Sequence, residues 1–343
     1  MQIPASRLPG ILVVAVLGLL SVLLTRISIL QQLGLGALTL AIGIGMLAAG
    51  LAPRLQHHRL QPGILLCKGP LLRWGIILYG LHISLDELQA LGSVALLSNL
   101  VMLLSTFALC YLAGTRLLRL DPLTSALIGA GSSICGAAAA VATGNSLQAS
   151  DRHLASAIAT VVLFGSLSML LYPLLYQLDV WSLADRRFAL YIGSTVHEVA
   201  QVVAAGDSLG SAIAQDAVSS KMLRVLLLAP FLLLLPWCLP RLRVAGSRSR
   251  SGVAGSIPWF AFGFLAVIVA HSLLPVPQLL LESLQTLGNG MLTMAMLALG
   301  LSLTPASFRA AGLKPFLLGA LAWTWLVVGG GALQWLLCHC PLF

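Results

Sequence analysis

The chain has 343 residues, of which 59% are hydrophobic and only 8% charged, and its mean hydropathy is +0.99. A soluble domain carries about 25% charged residues, so this composition excludes one and marks an all-α polytopic membrane protein. The net charge of +9 is then a matter of loop orientation, not of nucleic-acid binding.

Apolar runs of about 20 residues mark helical spans. Taken from the N-terminus they fall near 9–25, 33–52, 65–83, 91–113, 123–144, 154–176, 187–206, 218–238, 257–274, 284–304 and 314–337, which makes eleven. The first is read as a retained span, because no Ala-x-Ala cleavage site follows it. The third carries Lys68 and Arg73 in its first half, so its start is expected at the interface. Basic residues test the count. If the loop holding Arg241, Arg243, Arg248 and Arg250 is cytoplasmic, the same side collects Arg7, Arg54, Arg59, Lys68, Arg116, Arg119, Arg186, Arg187, Arg309 and Lys314. The opposite loops hold only Arg26 and Arg152. Eleven crossings then put the N-terminus in the cytoplasm and the C-terminus in the periplasm. Residues 1–343 read as one transmembrane domain, with a flexible Ser/Gly/Arg loop at about 241–256. The six cysteines form no CxxC pair, and Cys338-His339-Cys340 reads as a frayed tail more readily than as a metal site.

Residues 80–92 echo residues 300–312, an offset that pairs spans of opposite direction. Inverted repeats of this kind are a mark of secondary transporters.

The fifth span contains Gly129, Gly131, Ser132, Ser133, Cys135 and Gly136 within eight residues. Glycine weakens a helix by about 1 kcal/mol relative to alanine. Unwound backbone inside a membrane is tolerated only where it lines a cavity. A half-helix N-terminus there offers N–H donors and the positive end of a dipole, which suit an anion. Gly131, Ser132, Ser133, Cys135 and Gly136 are accordingly expected to bind solute. The alternative is a small-residue helix contact with no ligand.

The seventh span carries Ser194, Thr195, His197, Glu198 and Gln201 in otherwise apolar sequence. A carboxylate in hydrocarbon costs about 3 kcal/mol on insertion scales and persists where it is paired, protonated or in a polar cavity. Glu198 and His197 are the expected ion-coupling pair, and Gln201 a further solute ligand. A structural hydrogen-bond network between helices is the alternative. Lys221 and Arg224, at i and i+3 in the next span, are expected either to balance Glu198 or attract an anion, or to snorkel to the outer interface. His82 and His271 near span ends read as interfacial.

No catalytic motif competes. Residues 131–136 are not a Gly-x-Ser-x-Gly elbow, and His197-Glu198 lacks the second histidine of a zinc protease helix. Ser133 or Cys135 with His197 as base is the one enzymatic alternative.

The stretches 73–80, 128–139, 191–206 and 220–225 resemble the YeiH family of bacterial inner-membrane proteins. The resemblance implies a plasma-membrane protein of a family filed under sulfate export and grouped with bile acid–sodium symporter-like carriers. It further implies two inverted repeats with crossing broken helices. Spans five and seven are two crossings apart and so run the same way, which makes the Gly288–Gly300 region of span ten an alternative partner for span five.

The expected function is a secondary transporter or exporter working by alternating access. Its expected partners are a small anionic solute, H+ or Na+, and the lipid bilayer of the bacterial inner membrane. A homodimer is compatible with this reading. No cofactor is expected, and no phosphate-binding loop for ATP is present in the sequence. A channel is the alternative outside the enzyme class.

Overall fold

The computed structural model describes residues 7–26, 37–51, 59–86, 92–238, 259–274, 276–302 and 312–339. The regular elements among them are all helices, in the order α1 (Leu8–Leu24), α2 (Ala37–Leu51), α3 (Gln61–Leu66), α4 (Leu72–Tyr79), α5 (Gly92–Leu112), α6 (Pro122–Ser133), α7 (Ala137–Leu147), α8 (Asp151–Gln177), α9 (Asp185–Thr195), α10 (Val199–Asp207), α11 (Ser211–Leu226), α12 (Leu228–Cys238), α13 (Trp259–Leu273), α14 (Gln278–Ser302) and α15 (Leu313–His339). Among the described residues the eleven predicted apolar runs are helical, the fifth and seventh each with a break, and six segments are long and apolar enough to cross a membrane as single helices. These are Gln61–His82, Gly92–Leu117, Arg152–Gln177, Ser211–Leu235, Gln278–Ser302 and Leu313–His339. The loop at 241–256, Cys340 and most of the second copy of the predicted repeat lie outside the described residues.

The first helix wears its large residues outward. In α1 the buried positions are Gly10, Val14, Gly18 and Ser21, one turn apart, while Leu12, Val16 and Leu19 are exposed. Small residues inside and leucine outside is the pattern of a helix whose outer solvent is lipid, because packing between helices and not water avoidance then drives association.

The chain divides into two compact units. The first comprises residues 1–90, 203–215 and 260–305. Its helices meet through glycine. A Cβ on Gly45 of α2 would stand 3.0 Å from the Gly300 Cα of α14, and Gly10 and Gly63 make a second close pairing of α1 with α3. The rod from Gln61 to His82 carries Pro70 inside one π-turn, Cys67–Leu71, where the wider backbone ring accommodates the missing N–H. The expected break in span ten does not occur. α14 is one helix of 25 residues. Its Gly288 lies against Leu78 and its Gly300 against Ile42 and Gly45, so these glycines serve packing.

The second unit comprises residues 91–202, 216–259 and 306–343. Here span five is interrupted. α6 has 12 residues and α7 has 11, or about 18 and 16 Å of helix, each near half of a ~30 Å hydrocarbon layer. They fold back on one another. A Cβ on Gly131 of α6 would be 3.5 Å from the Ala140 Cβ of α7, and Leu127, Ile128 and Ala140 share one apolar cluster. Further out, Ala126 and Leu147 share another. Nine residues of straight helix would separate Gly131 from Ala140 by about 13 Å. Asp121 starts α6 by accepting the Leu123 and Thr124 N–H groups, followed by Pro122 at the first helical position. The turn closes through a bond from the Gly136 N–H to the Gly131 carbonyl, 2.9 Å, with Gly136 at φ +75°. An L side chain is strained there. Span five is therefore two half-length helices packed on one another, not one continuous helix.

Candidate functional site

Two helix breaks define the site, and both lie in the second unit. The first is Ile134–Gly136, between α6 and α7. The second is Val196–Glu198, between α9 and α10, where Val196 is extended (φ −65°, ψ 143°). A helix end leaves about four backbone groups without intrahelical partners, so each break exposes carbonyls on one side and N–H groups on the other. In a membrane protein those groups need partners from the chain itself.

The carbonyl ends are held by Lys221 and Arg224 of α11. The Lys221 Nζ donates to Ile134 O at 2.7 Å and Val196 O at 2.6 Å. Arg224 donates through Nη1 to Ser194 O at 2.6 Å, through Nη2 to Ser132 O at 3.0 Å, and through Nε to Ser133 O. Both side chains are wholly buried, so neither snorkels to an interface. Their charges stand at the negative ends of two helix dipoles. Asn99 of α5 braces this helix, donating to Ser220 O at 3.0 Å and to Ala95 O at 2.8 Å.

The N–H ends are held by the second break's own polar residues. Glu198 Oε1 accepts the Ala137 N–H that opens α7, at 3.2 Å. Gln201 Oε1 accepts the Glu198 N–H at 3.1 Å, the back-reaching half of a capping box at the start of α10. The Gln201 amide nitrogen faces Val162 O and Ser166 Oγ of α8, at 3.5 and 3.4 Å. Gly136 makes room for the carboxylate, because a Cβ there would overlap Glu198 Cγ. Gly165 does the same for Gln201.

The predicted residues are therefore brought together, with a division of labour that their types did not reveal. Glu198 and the residue after Gly136 touch directly, and Lys221 and Arg224 each bridge both breaks. Gln201 is occupied on both sides of its amide by protein groups. Cys135 is buried within the first break. Ten buried side-chain polar atoms have no partner among the described residues, and two of them, Ser132 Oγ and His197 Nδ1, belong to the segments of the two breaks. These two residues are each about 1% exposed. Ser133 Oγ lies 3.5 Å from Ala130 O, a long contact within its own helix. Among residues the sequence reading passed over, Asn99, Tyr172 and Ser166 support the site. Tyr172 OH donates to Thr195 Oγ1 at 2.7 Å. A lone asparagine in the apolar α5 was the available signal for the first of these.

Long apolar helices, lipid-type outer faces and a buried polar centre at two helix breaks define a polytopic membrane protein. Residues 9–319 match the family described as Conserved hypothetical protein 698. A UPF0324 membrane protein of Pseudomonas aeruginosa is 47% identical over 332 residues, covering 95% of this chain and 93% of that protein. The UPF0324 inner membrane protein YeiH of Escherichia coli K12 is 42% identical over 304 residues, covering 89% of this chain and 86% of that protein. A relative in Pasteurella multocida is 40% identical over 322 residues, 94% of each chain. The chain belongs to this family, UPF0324, as the resemblance to YeiH implied. No solved structure matches it.

Proposed function

We propose that the chain is a secondary transporter of a small anionic solute, coupled to a proton or sodium gradient, in the bacterial inner membrane. The observation that carries this reading is the contact of Glu198 with the N-terminus of α7. A helix N-terminus after a membrane break is an anion position. Glu198, from the other break, occupies it as an internal anion. Protonation of Glu198 weakens its hold on the Ala137 N–H, and a solute anion then takes that N–H together with Ser132 Oγ and His197 Nδ1. Charge and solute thus replace one another at one place, which is what a coupled carrier needs. Lys221 and Arg224 hold the two breaks in register throughout the cycle.

Thermal unfolding of the purified full chain against sulfate, phosphate, formate and dicarboxylates, at two pH values, tests the reading. One anion class is expected to stabilise the wild type saturably, more so at the lower pH, and to lose that pH dependence in Glu198→Gln. A wild type indifferent to every anion contradicts the binding reading. Gradient-independent flux at channel rates, or turnover of a substrate lost in Ser133→Ala or Cys135→Ala, would replace the carrier with one of its alternatives.

A further inference from the structure

Five carbonyl oxygens converge at the two breaks, those of Ser132, Ser133, Ile134, Ser194 and Val196, and all five accept from Lys221 or Arg224. Carbonyls at half-helix C-terminal ends are the groups with which broken-helix carriers coordinate a sodium ion. They are hard oxygen donors at the negative end of a dipole, and a compact monovalent cation is their natural partner. The Lys221 ammonium is such a cation. It is a point charge with rotatable donors, and it sits between one carbonyl from each break at 2.6–2.7 Å. Arg224, a planar fork, spans the remaining three.

We propose that the Lys221 ammonium is a tethered cation in the position of a sodium ion, so that these breaks take no sodium and the carrier is not sodium-coupled there. This rests on the carrier reading and narrows it to one of its two coupling ions. Three features of the chain agree. Lys221 is wholly buried, so its charge is not shared with solvent. It reaches one carbonyl of each break, so a single charge ties together two segments 62 residues apart, at Ile134 and Val196. Asn99 fixes Ser220, the residue before it, so the ammonium is delivered to one place.

The consequence is a gain of function on deletion. In Lys221→Ala, Ile134 O and Val196 O lose their cation while the Arg224 contacts remain, which leaves a carbonyl pair with room for a free ion. Thermal unfolding of the full chain is measured in NaCl against choline chloride at equal ionic strength. The wild-type midpoint is expected to be the same in both salts. Lys221→Ala is expected to unfold lower in choline and to recover saturably with Na+, by about 3 °C at tenfold excess over the apparent dissociation constant. A wild type stabilised saturably by Na+ over choline overturns the proposal. So does a folded Lys221→Ala that gains no more from Na+ than from choline. Should Lys221→Ala fold only when purified in NaCl, that supports the proposal. Should it fold in neither salt, the wild-type titration decides alone. The anion response of the wild type, which tests the carrier reading, is measured separately, so the two can fail independently.

Discussion

α14 and the α6–α7 segment have nearly the same recipe and opposite outcomes. Each places three or more glycines among small and apolar residues. α14 runs unbroken for 25 residues, and its Gly300 lets α2 approach to backbone distance. α6 stops at Ser133 and the chain turns back through Gly136. Glycine composition permits both. The partners decide. The end of α6 meets two buried cations that take its carbonyls, and the start of α7 meets a carboxylate. Among the described residues no charged side chain caps the backbone of α14, where an opened backbone would face apolar neighbours at several kcal/mol per group. A break in a membrane helix is thus specified by what caps it more than by what weakens it.

The harshest way to break this comparison is to remove the cap. Arg224→Leu strips the bonds to Ser132, Ser133 and Ser194 and is expected to cost about 3–5 kcal/mol, seen as loss of the monodisperse peak in size-exclusion chromatography. Arg224→Lys is expected to rescue only part of it, because an ammonium cannot span the fork. Next comes the turn itself. Gly136→Ala forces a side chain onto φ +75° and into Glu198, and is expected to cost about 1–3 kcal/mol. The matching change in α14, Gly290→Ala, meets nothing within 4 Å and is expected to leave the stability unchanged or to raise it by up to about 1 kcal/mol. Equal effects of the two alanines would mean that α14 is not the continuous helix described. Gln201→Leu is the mildest of the destabilising changes. Losing the acceptor for the Glu198 N–H is expected to cost about 1–2 kcal/mol, and faster amide exchange at the start of α10 would report it.

The sequence carried the membrane class, the family likeness and both polar segments, since a glutamate in an apolar run and a cluster of glycines are signals in side-chain identity. It did not carry the fold-back of α6 on α7. Hydropathy counts apolar length, and two half-length helices with a short turn have the same length as one crossing. Nor did it show which groups Lys221 and Arg224 hold. Their partners are backbone carbonyls 25 to 92 residues away, and a carbonyl has no letter in the sequence. Snorkelling, charge balance and attraction of an anion were the roles that side chains alone suggested. Gln201 illustrates the same limit from the other side. Its type fits a solute ligand, but its amide is engaged by Glu198, Val162 and Ser166.

The central claim is that Glu198 and the solute anion share the N-terminus of α7. Flux of radiolabelled anion, chosen by the stability screen, out of proteoliposomes with and without an imposed pH gradient tests it most directly. The account predicts gradient-driven flux in the wild type and its loss in Glu198→Gln, with the variant still folded. Gradient-driven flux in Glu198→Gln equal to that of the wild type would contradict it.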